Sequence, residues 1–306
     1  MSHSADPFAA TGPWLKCALH AHTTRSDGDL TPEELVDLYA RAGFDVLAIT
    51  DHWLRTEASS TERLLVIPSS ELSCLLPDGG HGHLLGIGID VDPMEFVRTR
   101  PDLAAASAWV AGRGGVAFLA HPYWTGAAAG GLELCDGLAG IEVYNAGCEL
   151  ETGRGLSTVH WDELLARGSR CYGIAADDCH RGEVDSRFAW VWARVREHSQ
   201  AAVLEALATG SFYSSTGPTI EALTVEDGTI EVRCSPCARV TLCTEAQRGA
   251  SVGAGATGYR FRGEALSETD AGELTRVRLQ RPRVASFGRV ELVDACGRKA
   301  WTNPLW

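Results

Sequence analysis

Short apolar runs alternate with helical patterns from about residue 14 to residue 210, and this alternation limits the possible folds more than any other feature. The run WLKCALH precedes the helical pattern TPEELVDLYARAG, where Thr31 fits an N-cap, Pro32 the first helical position and Gly43 the end. Runs that are apolar on both faces are typical of strands in a buried parallel sheet. The alternation therefore predicts an α/β fold whose βα units close into a barrel or form an open sheet.

The pattern changes after the segment GSFYSSTGP, where helical periodicity stops and short alternating strands begin. The EDGT turn between the runs IEALTV and IEVRCS is typical of a β-hairpin. We therefore predict two units, an α/β domain over residues 1–217 and a small β-rich domain over residues 218–306. A chain of 306 residues is long enough for this division.

The charge of the chain limits its partners. The net charge is −13, and only two of the 27 Lys and Arg residues, Lys16 and Lys299, are lysines. Binding along a nucleic-acid backbone needs a positive surface, so we expect no extended nucleic-acid partner. Guanidinium groups suit the bidentate capture of phosphate or carboxylate, which is compatible with a small anionic substrate.

The compartment is predicted from features that the sequence lacks. No stretch approaches the ~20 apolar residues of a membrane span, and the N-terminus has neither the basic start nor the apolar core of a signal peptide. Ten cysteines in a chain of this length do not indicate a disulfide scaffold, so reduced buried thiols are expected. We expect a soluble cytoplasmic protein without a membrane partner, and the oligomeric state stays open.

Histidines and carboxylates gather at the ends of the apolar runs. Six of the ten histidines lie there with four acids: His20, His22, His52, His83, His121, His180, Asp27, Asp51, Glu71 and Asp178. In a parallel α/β barrel, the C-terminal ends of different strands meet on one face, where active sites lie. His83 is the exception because it precedes its run, which predicts an antiparallel or irregular strand there.

One histidine at a strand end is more often satisfied by hydrogen bonds than bound to a metal, but a whole set points elsewhere. Imidazoles and ionised carboxylates are costly to desolvate together unless a cation binds them. Six histidines and three carboxylates exceed the ligands of one divalent ion and suggest two or three ions. We expect Asp51 to support the site by accepting a histidine N–H, and His160 to lie on an exposed helix surface without a role.

The ordered motifs HAH, SDG, ITDH, the single Glu71, GHLLGIG, AHP and DDCH resemble the PHP family, the polymerase-and-histidinol-phosphatase metallohydrolases. The resemblance covers about residues 14–217 and implies a distorted (β/α)7 barrel with three metal ions, in a family that mostly hydrolyses phosphate esters. The C-terminal part, from GSFYSSTGP to the final AWTNP, resembles the branch that includes carbaryl hydrolases. That second resemblance leaves open that the enzyme hydrolyses a bond other than a phosphate ester.

Carried over position by position, the resemblance implies nine metal ligands. The first ion would take His20, His22, Glu71 and Asp178, the second Glu71, His83 and His121, and the third Asp27, His52 and His180. Mixed histidine and carboxylate ligands suit Zn, Mn and Fe alike. The segment AADDCH departs from the family pattern, because Asp177 replaces a small polar residue. We expect Asp177 either to orient a ligand or water, or to point into solvent.

Further catalytic and substrate-binding groups are expected near the ligands. Besides the ligands Glu71, Asp178 and His180, two arginines are candidates for contact with the phosphoryl oxygens: Arg25 in the loop before Asp27, and Arg181 directly after His180. Tyr123, Trp124 and Asn145 follow strand ends at which a leaving group would be recognised. Core or rim packing is an equally good reading for the two aromatic residues.

Three functions from different classes fit these observations. The leading hypothesis is a metal-dependent phosphoesterase that hydrolyses a small-molecule phosphomonoester or phosphodiester with metal-activated hydroxide at a trinuclear site. The alternative keeps the metals but cleaves a carboxylic ester, carbamate or amide. A third hypothesis treats the domain as a binding or scaffold module with a structural metal site.

Overall fold

The computed structural model describes residues 6–132, 135–256, 258–283 and 285–306. Within these ranges the chain forms nineteen β-strands and six α-helices, which confirms the predicted mixed α/β class. The helices are α1 (Pro32–Arg41), α2 (Met94–Val97), α3 (Leu103–Ala111), α4 (Ala146–Thr152), α5 (Thr158–Ala166) and α6 (Gln200–Thr209). No helix in the described part of the chain is long and apolar enough to cross a membrane.

The strands divide at the change of pattern that the sequence shows. Ten strands precede it: β1 (Trp14–Ala18), β2 (Val46–Ile49), β3 (Leu65–Pro68), β4 (Ser70–Leu75), β5 (His81–Ile87), β6 (Val116–Ala120), β7 (Leu138–Asn145), β8 (Tyr172–Ala176), β9 (Trp190–Arg194) and β10 (Phe212–Ser215). Nine follow it: β11 (Ile220–Glu226), β12 (Thr229–Cys237), β13 (Arg239–Cys243), β14 (Ala250–Gly253), β15 (Arg260–Phe261), β16 (Gly263–Glu268), β17 (Leu274–Gln280), β18 (Arg289–Val293) and β19 (Lys299–Thr302).

Helix α1 forms as its sequence predicts. The Thr31 side chain accepts a hydrogen bond from the Glu34 backbone N–H, and the Glu34 carboxylate accepts one from the Thr31 N–H. This reciprocal capping box satisfies two of the N–H groups that a helix start leaves unpaired. The helix ends two residues before Gly43, whose φ of +75° is one that glycine adopts without strain.

Two sheets contribute the strand ends that carry the histidines. Strands β1, β2 and β3 pair in parallel, and so do β6, β7 and β8. Strand β5, which carries His83, is antiparallel to both β4 and β6, which confirms the expectation for that strand. Parallel bridges from Ala21 to Cys179 and from His52 to Glu71 connect the two sheets. The ends of β1, β2 and β8 therefore lie close to β4, while closure into a (β/α)7 barrel stays a prediction.

The C-terminal strands form two sheets, one of which continues into the α/β part. Strands β11, β12, β17 and β16 form a four-stranded sheet, whereas β19 pairs with β10 inside a ten-stranded sheet. Trp301, on β19, is buried in the same apolar cluster as Trp161 of α5. The buried Arg289 guanidinium donates two hydrogen bonds, of 2.7 and 2.8 Å, to the Asp162 carboxylate of α5. Strand pairing and packing thus cross the predicted boundary at residue 217, and the division into two units stays a prediction.

Candidate metal centre

His20 and His22 follow β1 and are both buried. The Asp178 N–H donates to the His20 carbonyl oxygen at 3.0 Å, and the His22 N–H donates to the Cys179 carbonyl oxygen at 2.8 Å. These backbone bonds tie the segment after β1 to the segment after β8. Residues separated by more than 150 positions in the sequence are therefore held side by side.

The first group of potential ligands is buried and tightly clustered: His20, His22, Glu71 and Asp178. The Nε2 atoms of His20 and His22 both lie 3.2 Å from Glu71 Oε2. The same two atoms lie 3.1 and 3.2 Å from Asp178 Oδ1. Two atoms bound to one ion at about 2.0–2.2 Å with near-tetrahedral angles are separated by roughly 3.3 Å. The separations in this group therefore suit ligands of one shared ion.

The Glu71 carboxylate extends this arrangement to a second group. His83 Nδ1 and His121 Nε2 lie 2.9 and 3.1 Å from Glu71 Oε1. His52 Nδ1 lies 3.2 Å from Glu71 Oε2, so His52 joins Glu71 and His83 in a possible ion site. Glu71 is thus placed to bridge two ions, as the resemblance implies.

A third group surrounds Asp27 at the outer edge of the cluster: His22, Asp27, His52 and His180. The Asp27 carboxylate lies 3.5 Å from one nitrogen of each of the three histidines. The resemblance implies Asp27, His52 and His180 here, and the geometry adds His22 through its Nδ1 atom. All nine predicted ligands are therefore brought together, while their role as ligands stays a prediction.

The buried polar atoms of the cluster test whether a cation fits. Four of them have no hydrogen-bond partner among the described residues: His52 Nδ1, His83 Nδ1, His121 Nδ1 and Asp178 Oδ1. His52 and His83 even approach Glu71 within hydrogen-bonding distance, but not in hydrogen-bonding geometry. Buried polar atoms left unpaired in this way are costly. A cation bound to His83 Nδ1 or to Asp178 Oδ1 would take up a lone pair and remove that cost. The residues present fit divalent metal ions.

The electrostatics of the cluster favour positive charge. Burial alone would lower the pKa of His20, but the charges of Asp178, Glu142 and Glu71 together raise it well above its usual value. The pKa of His180 is raised to about 9 against the effect of burial, chiefly by its contact with Asp27. In turn, His180 and His52 hold the pKa of the Asp27 carboxyl well below its usual range. Without metal, the His20 and His180 imidazoles would therefore bind protons, which divalent ions displace.

Glu142 is a site residue that the sequence reasoning missed. Its side chain is fully buried, and its Oε1 lies 2.7 Å from His20 Nδ1. Its Oε2 accepts hydrogen bonds from the His121 backbone N–H and from Asn145 Nδ2, at 2.8 and 2.9 Å. This carboxylate keeps the His20 Nε2 free to face the cluster. The sequence feature that could have indicated Glu142 is a single acidic residue inside the apolar strand GIEVYN.

Two expectations for neighbouring residues are wrong. Asn145 does not face a leaving group, because its buried amide donates to Glu142 and to Asp178 Oδ2. Asp51 accepts no N–H from any histidine that the structure describes; its carboxylate accepts hydrogen bonds from Thr23 and Ser26 of the loop after His22 and from Thr56. Both residues support the site through hydrogen bonds to a loop or to another carboxylate, and the spacing of residues in the sequence does not reveal these bonds.

Asp177 and His160 also differ from expectation. Asp177 is buried rather than exposed to solvent, and the hydrogen bonds of its carboxylate to described residues go to groups other than the candidate ligands. Its carboxylate accepts hydrogen bonds from the Tyr39 hydroxyl and from three consecutive backbone N–H groups, residues 187–189. Burial raises its pKa to about 6 despite these donors. His160 is buried rather than exposed, and its Nε2 hydrogen-bonds to the Ala127 carbonyl oxygen.

A cavity of about 660 Å³ opens above the cluster. Arg181 and Trp124 line it, whereas Arg25 lies on an exposed loop outside its lining. Tyr123 is 42% exposed and does not line the cavity either. Of the two arginines predicted to contact phosphate, Arg181 is the one that the cavity shape favours.

The chain is similar in structure to a two-domain protein of Bacteroides vulgatus that contains a predicted PHP-like metal-dependent phosphoesterase. The TM-score is 0.51 at 18% identity, over 96% of this chain and 95% of that chain, which shows a shared fold. The chain is also 40% identical over 81 residues to the 5'-3' exoribonuclease Rnm of Salmonella typhimurium and of Escherichia coli. That match spans 24% of this chain and only 27% of the length of each curated relative. No family model matches the chain.

Proposed function

We propose that the protein is a PHP-family metal-dependent hydrolase that cleaves phosphate esters at a site for three divalent ions. The observation that carries this proposal is one cluster of nine histidine, aspartate and glutamate side chains, five of whose histidines lie within 3.2 Å of the Glu71 carboxylate. The fold shared with a protein that contains a PHP-like phosphoesterase supports the family, and the branch that includes carbaryl hydrolases has no such support.

Three groups of residues would each hold one ion for the hydrolysis. His20, His22, Glu71 and Asp178 would hold one ion, Glu71, His83 and His121 a second, and Asp27, His52 and His180 a third. Zinc, manganese or iron bound there would supply Lewis acidity and lower the pKa of the attacking water.

Arg181 lies where it would neutralise charge on the phosphoryl oxygens. The water oxygen forms a bond to phosphorus as the ester P–O bond breaks, and the proton that the water loses balances the proton that the leaving oxygen takes up. Glu142 keeps His20 oriented throughout, because it lies behind the ring and away from the cavity.

The site suits a small molecule. The cavity volume of about 660 Å³ lies within the range of small-molecule sites, and three ligating carboxylates leave three divalent ions with a net positive charge that attracts an anionic ester. All ten cysteines are free thiols, which is compatible with the reducing cytoplasm that the sequence predicts.

Activity and metal content of the purified protein test the proposal. After chelation and reloading with Mn²⁺ or Zn²⁺, we expect metal-dependent turnover of p-nitrophenyl phosphate or its bis-ester. Glu71→Gln should lose most of the bound metal and at least about 100-fold in kcat/KM, as removal of a central electrostatic group does. The matched control is Glu226→Gln, at an exposed position on β11.

Two outcomes would contradict the proposal. Wild-type metal content in Glu71→Gln would show that the cluster does not bind metal. Turnover of a neutral aryl ester or carbamate, with no turnover of any phosphate compound, would select the alternative bond.

A further inference from the structure

Part of the lining of the cavity above the cluster is apolar. Trp124, Leu150 and Val184 all line it, and their side chains are 37%, 58% and 66% exposed. Large apolar side chains exposed together beside convergent polar groups are typical of a ligand-binding wall.

Each of these three residues, which we call the apolar wall, lies near a residue of the cluster in the sequence or in space. The Trp124 ring lies 5.1 Å from the His121 ring, and its backbone N–H donates to the His121 carbonyl oxygen. Leu150 lies on α4, whose first residues follow Asn145, the residue bonded to Asp178. Val184 ends the short helical turn that begins two residues after His180. The segments that carry the three side chains are therefore connected to the cluster through the backbone or through hydrogen bonds.

Most of the charged side chains that line the cavity are acidic. Asp29 and Glu151 line the cavity and are exposed, and neither forms an ion pair with any described residue. Arg181 is the one Arg or Lys among the described lining residues. One phosphoryl group can be neutralised by the metal ions and Arg181, but a second anionic group on the substrate would face Glu151 and Asp29. Like charges placed together in this way select against a partner.

We propose that the group esterified to phosphate is apolar and carries no negative charge. Trp124, Leu150 and Val184 bind this group, while Glu151 and Asp29 exclude substrates with a second phosphate or carboxylate. The inference rests on the proposed function, because it takes the metal cluster as the position of the phosphoryl group. It names the substrate class as phosphate esters of apolar alcohols or phenols.

Binding of non-hydrolysable phosphonates to the Mn²⁺-loaded protein tests this inference by calorimetry. We expect 2-phenylethylphosphonate to bind about tenfold more tightly than ethylphosphonate, since it places a phenyl ring against the apolar wall. The analogue with a 4-carboxylate on the ring should lose that gain. Equal affinity of the phenyl and ethyl compounds, tighter binding of the carboxylate, or no binding of any phosphonate would each overturn the inference.

Variants locate the effect in the wall. Leu150→Ser and Val184→Ser should each reduce the phenyl-to-ethyl affinity ratio to about threefold or less. Val159→Ser is the matched control, because Val159 is 64% exposed on α5 and does not line the cavity. Glu151→Gln should increase the affinity of the carboxylate analogue about threefold relative to that of the phenyl compound. Equal effects of the wall and control variants would contradict the assignment.

Turnover separates this inference from the proposed function. The matching phosphate esters, ethyl and 2-phenylethyl phosphate, have leaving groups of similar acidity, so their kcat/KM ratio should follow the phosphonate affinities. Selective phosphonate binding without turnover of any phosphate ester would contradict the proposed phosphoesterase activity. It would still support binding of an apolar group by the apolar wall. Turnover with equal kcat/KM for both esters would keep the activity and reject the wall.

Discussion

Glu142 and Asn145, both on β7, lie behind the ligand atoms and orient them. Glu142 bonds His20 Nδ1, and Asn145 connects the Glu142 and Asp178 carboxylates through one amide group. Such partners hold a ligand ring in one tautomer and one orientation, which increases its affinity for metal. We therefore expect the metal affinity of the cluster to depend on Glu142 and Asn145, although neither residue lines the cavity.

Replacement of Glu142 is expected to weaken metal binding without removing any ligand. Glu142→Gln keeps an acceptor for His20 Nδ1 but removes the buried charge, and loss of such a partner typically costs about 10–100-fold in metal affinity. Competition with a chelator of known affinity measures the change. Glu226→Gln, exposed on β11, is the control, and an unchanged affinity in Glu142→Gln would contradict the orienting role.

The raised histidine pKa values predict how the metal-free protein responds to pH. The pKa of His180 is about 9 against a usual 6.5, and those of His20, His22 and His83 are raised as well. A raised folded-state pKa stabilises the fold below the unfolded value, and this stabilisation is lost as pH rises through the folded value. The melting temperature of the chelated protein should therefore decrease as the pH rises from about 6.5 to about 9.

Metal-loaded protein is the control for that pH dependence. Metal replaces the protons on the imidazoles, so its affinity should increase over the same pH interval and the loaded protein should resist the loss. Thermal unfolding with and without chelator, followed by circular dichroism, checks both statements. A chelated protein that becomes more stable as pH rises through this interval would contradict them.

At the scale of elements, α5 is held against β18 by one buried guanidinium. Arg289 is only 2% exposed, and its Nε and Nη2 atoms donate to both oxygens of the Asp162 carboxylate. A buried charge that loses its partner is much more costly than an exposed one. The contact of β18 with α5 should therefore be sensitive to Asp162.

Asp162→Asn is expected to reduce the free energy of unfolding by about 2 kcal/mol, since a hydrogen-bonded charge is left poorly compensated. The carboxylate is 39% exposed, so solvent limits the loss. Asp37→Asn removes a similar Arg ion pair on α1, but with both partners more than 60% exposed it should cost less than about 0.5 kcal/mol. Urea unfolding measures both, and equal losses would contradict the buried role of Arg289.

At the scale of the whole molecule, the ten-stranded sheet runs through both predicted units. Strand β19 pairs with β10, and Trp301 is buried in the core of the α/β part. Units that share a sheet and a core are expected to unfold together, unlike domains joined by a flexible linker. Calorimetry of the metal-loaded chain should therefore show one transition with equal calorimetric and van't Hoff enthalpies. Two resolved transitions would indicate that residues 1–217 and 218–306 fold independently.

Residue types and local periodicity were enough to predict the α/β class, helix α1 with Thr31 as its N-cap, an antiparallel or irregular strand at His83 and the group of nine clustered side chains. These features depend on short-range pattern, or on the rule that strand ends meet on one face of the sheet. The roles of Asp51, Asp177 and Asn145 were not predictable in this way. Their hydrogen-bond partners are set by loop paths, which depend on packing between distant segments.

The amino-acid sequence alone specified which side chains have the chemistry to bind metal, because imidazole and carboxylate groups are visible in any order of residues. Folding determined that Glu71 lies at their centre, that Glu142 lies behind His20, and that Arg181 rather than Arg25 reaches the cavity. The physical reason is distance. These contacts join positions far apart along the chain, and only the packed sheets bring them within hydrogen-bonding range.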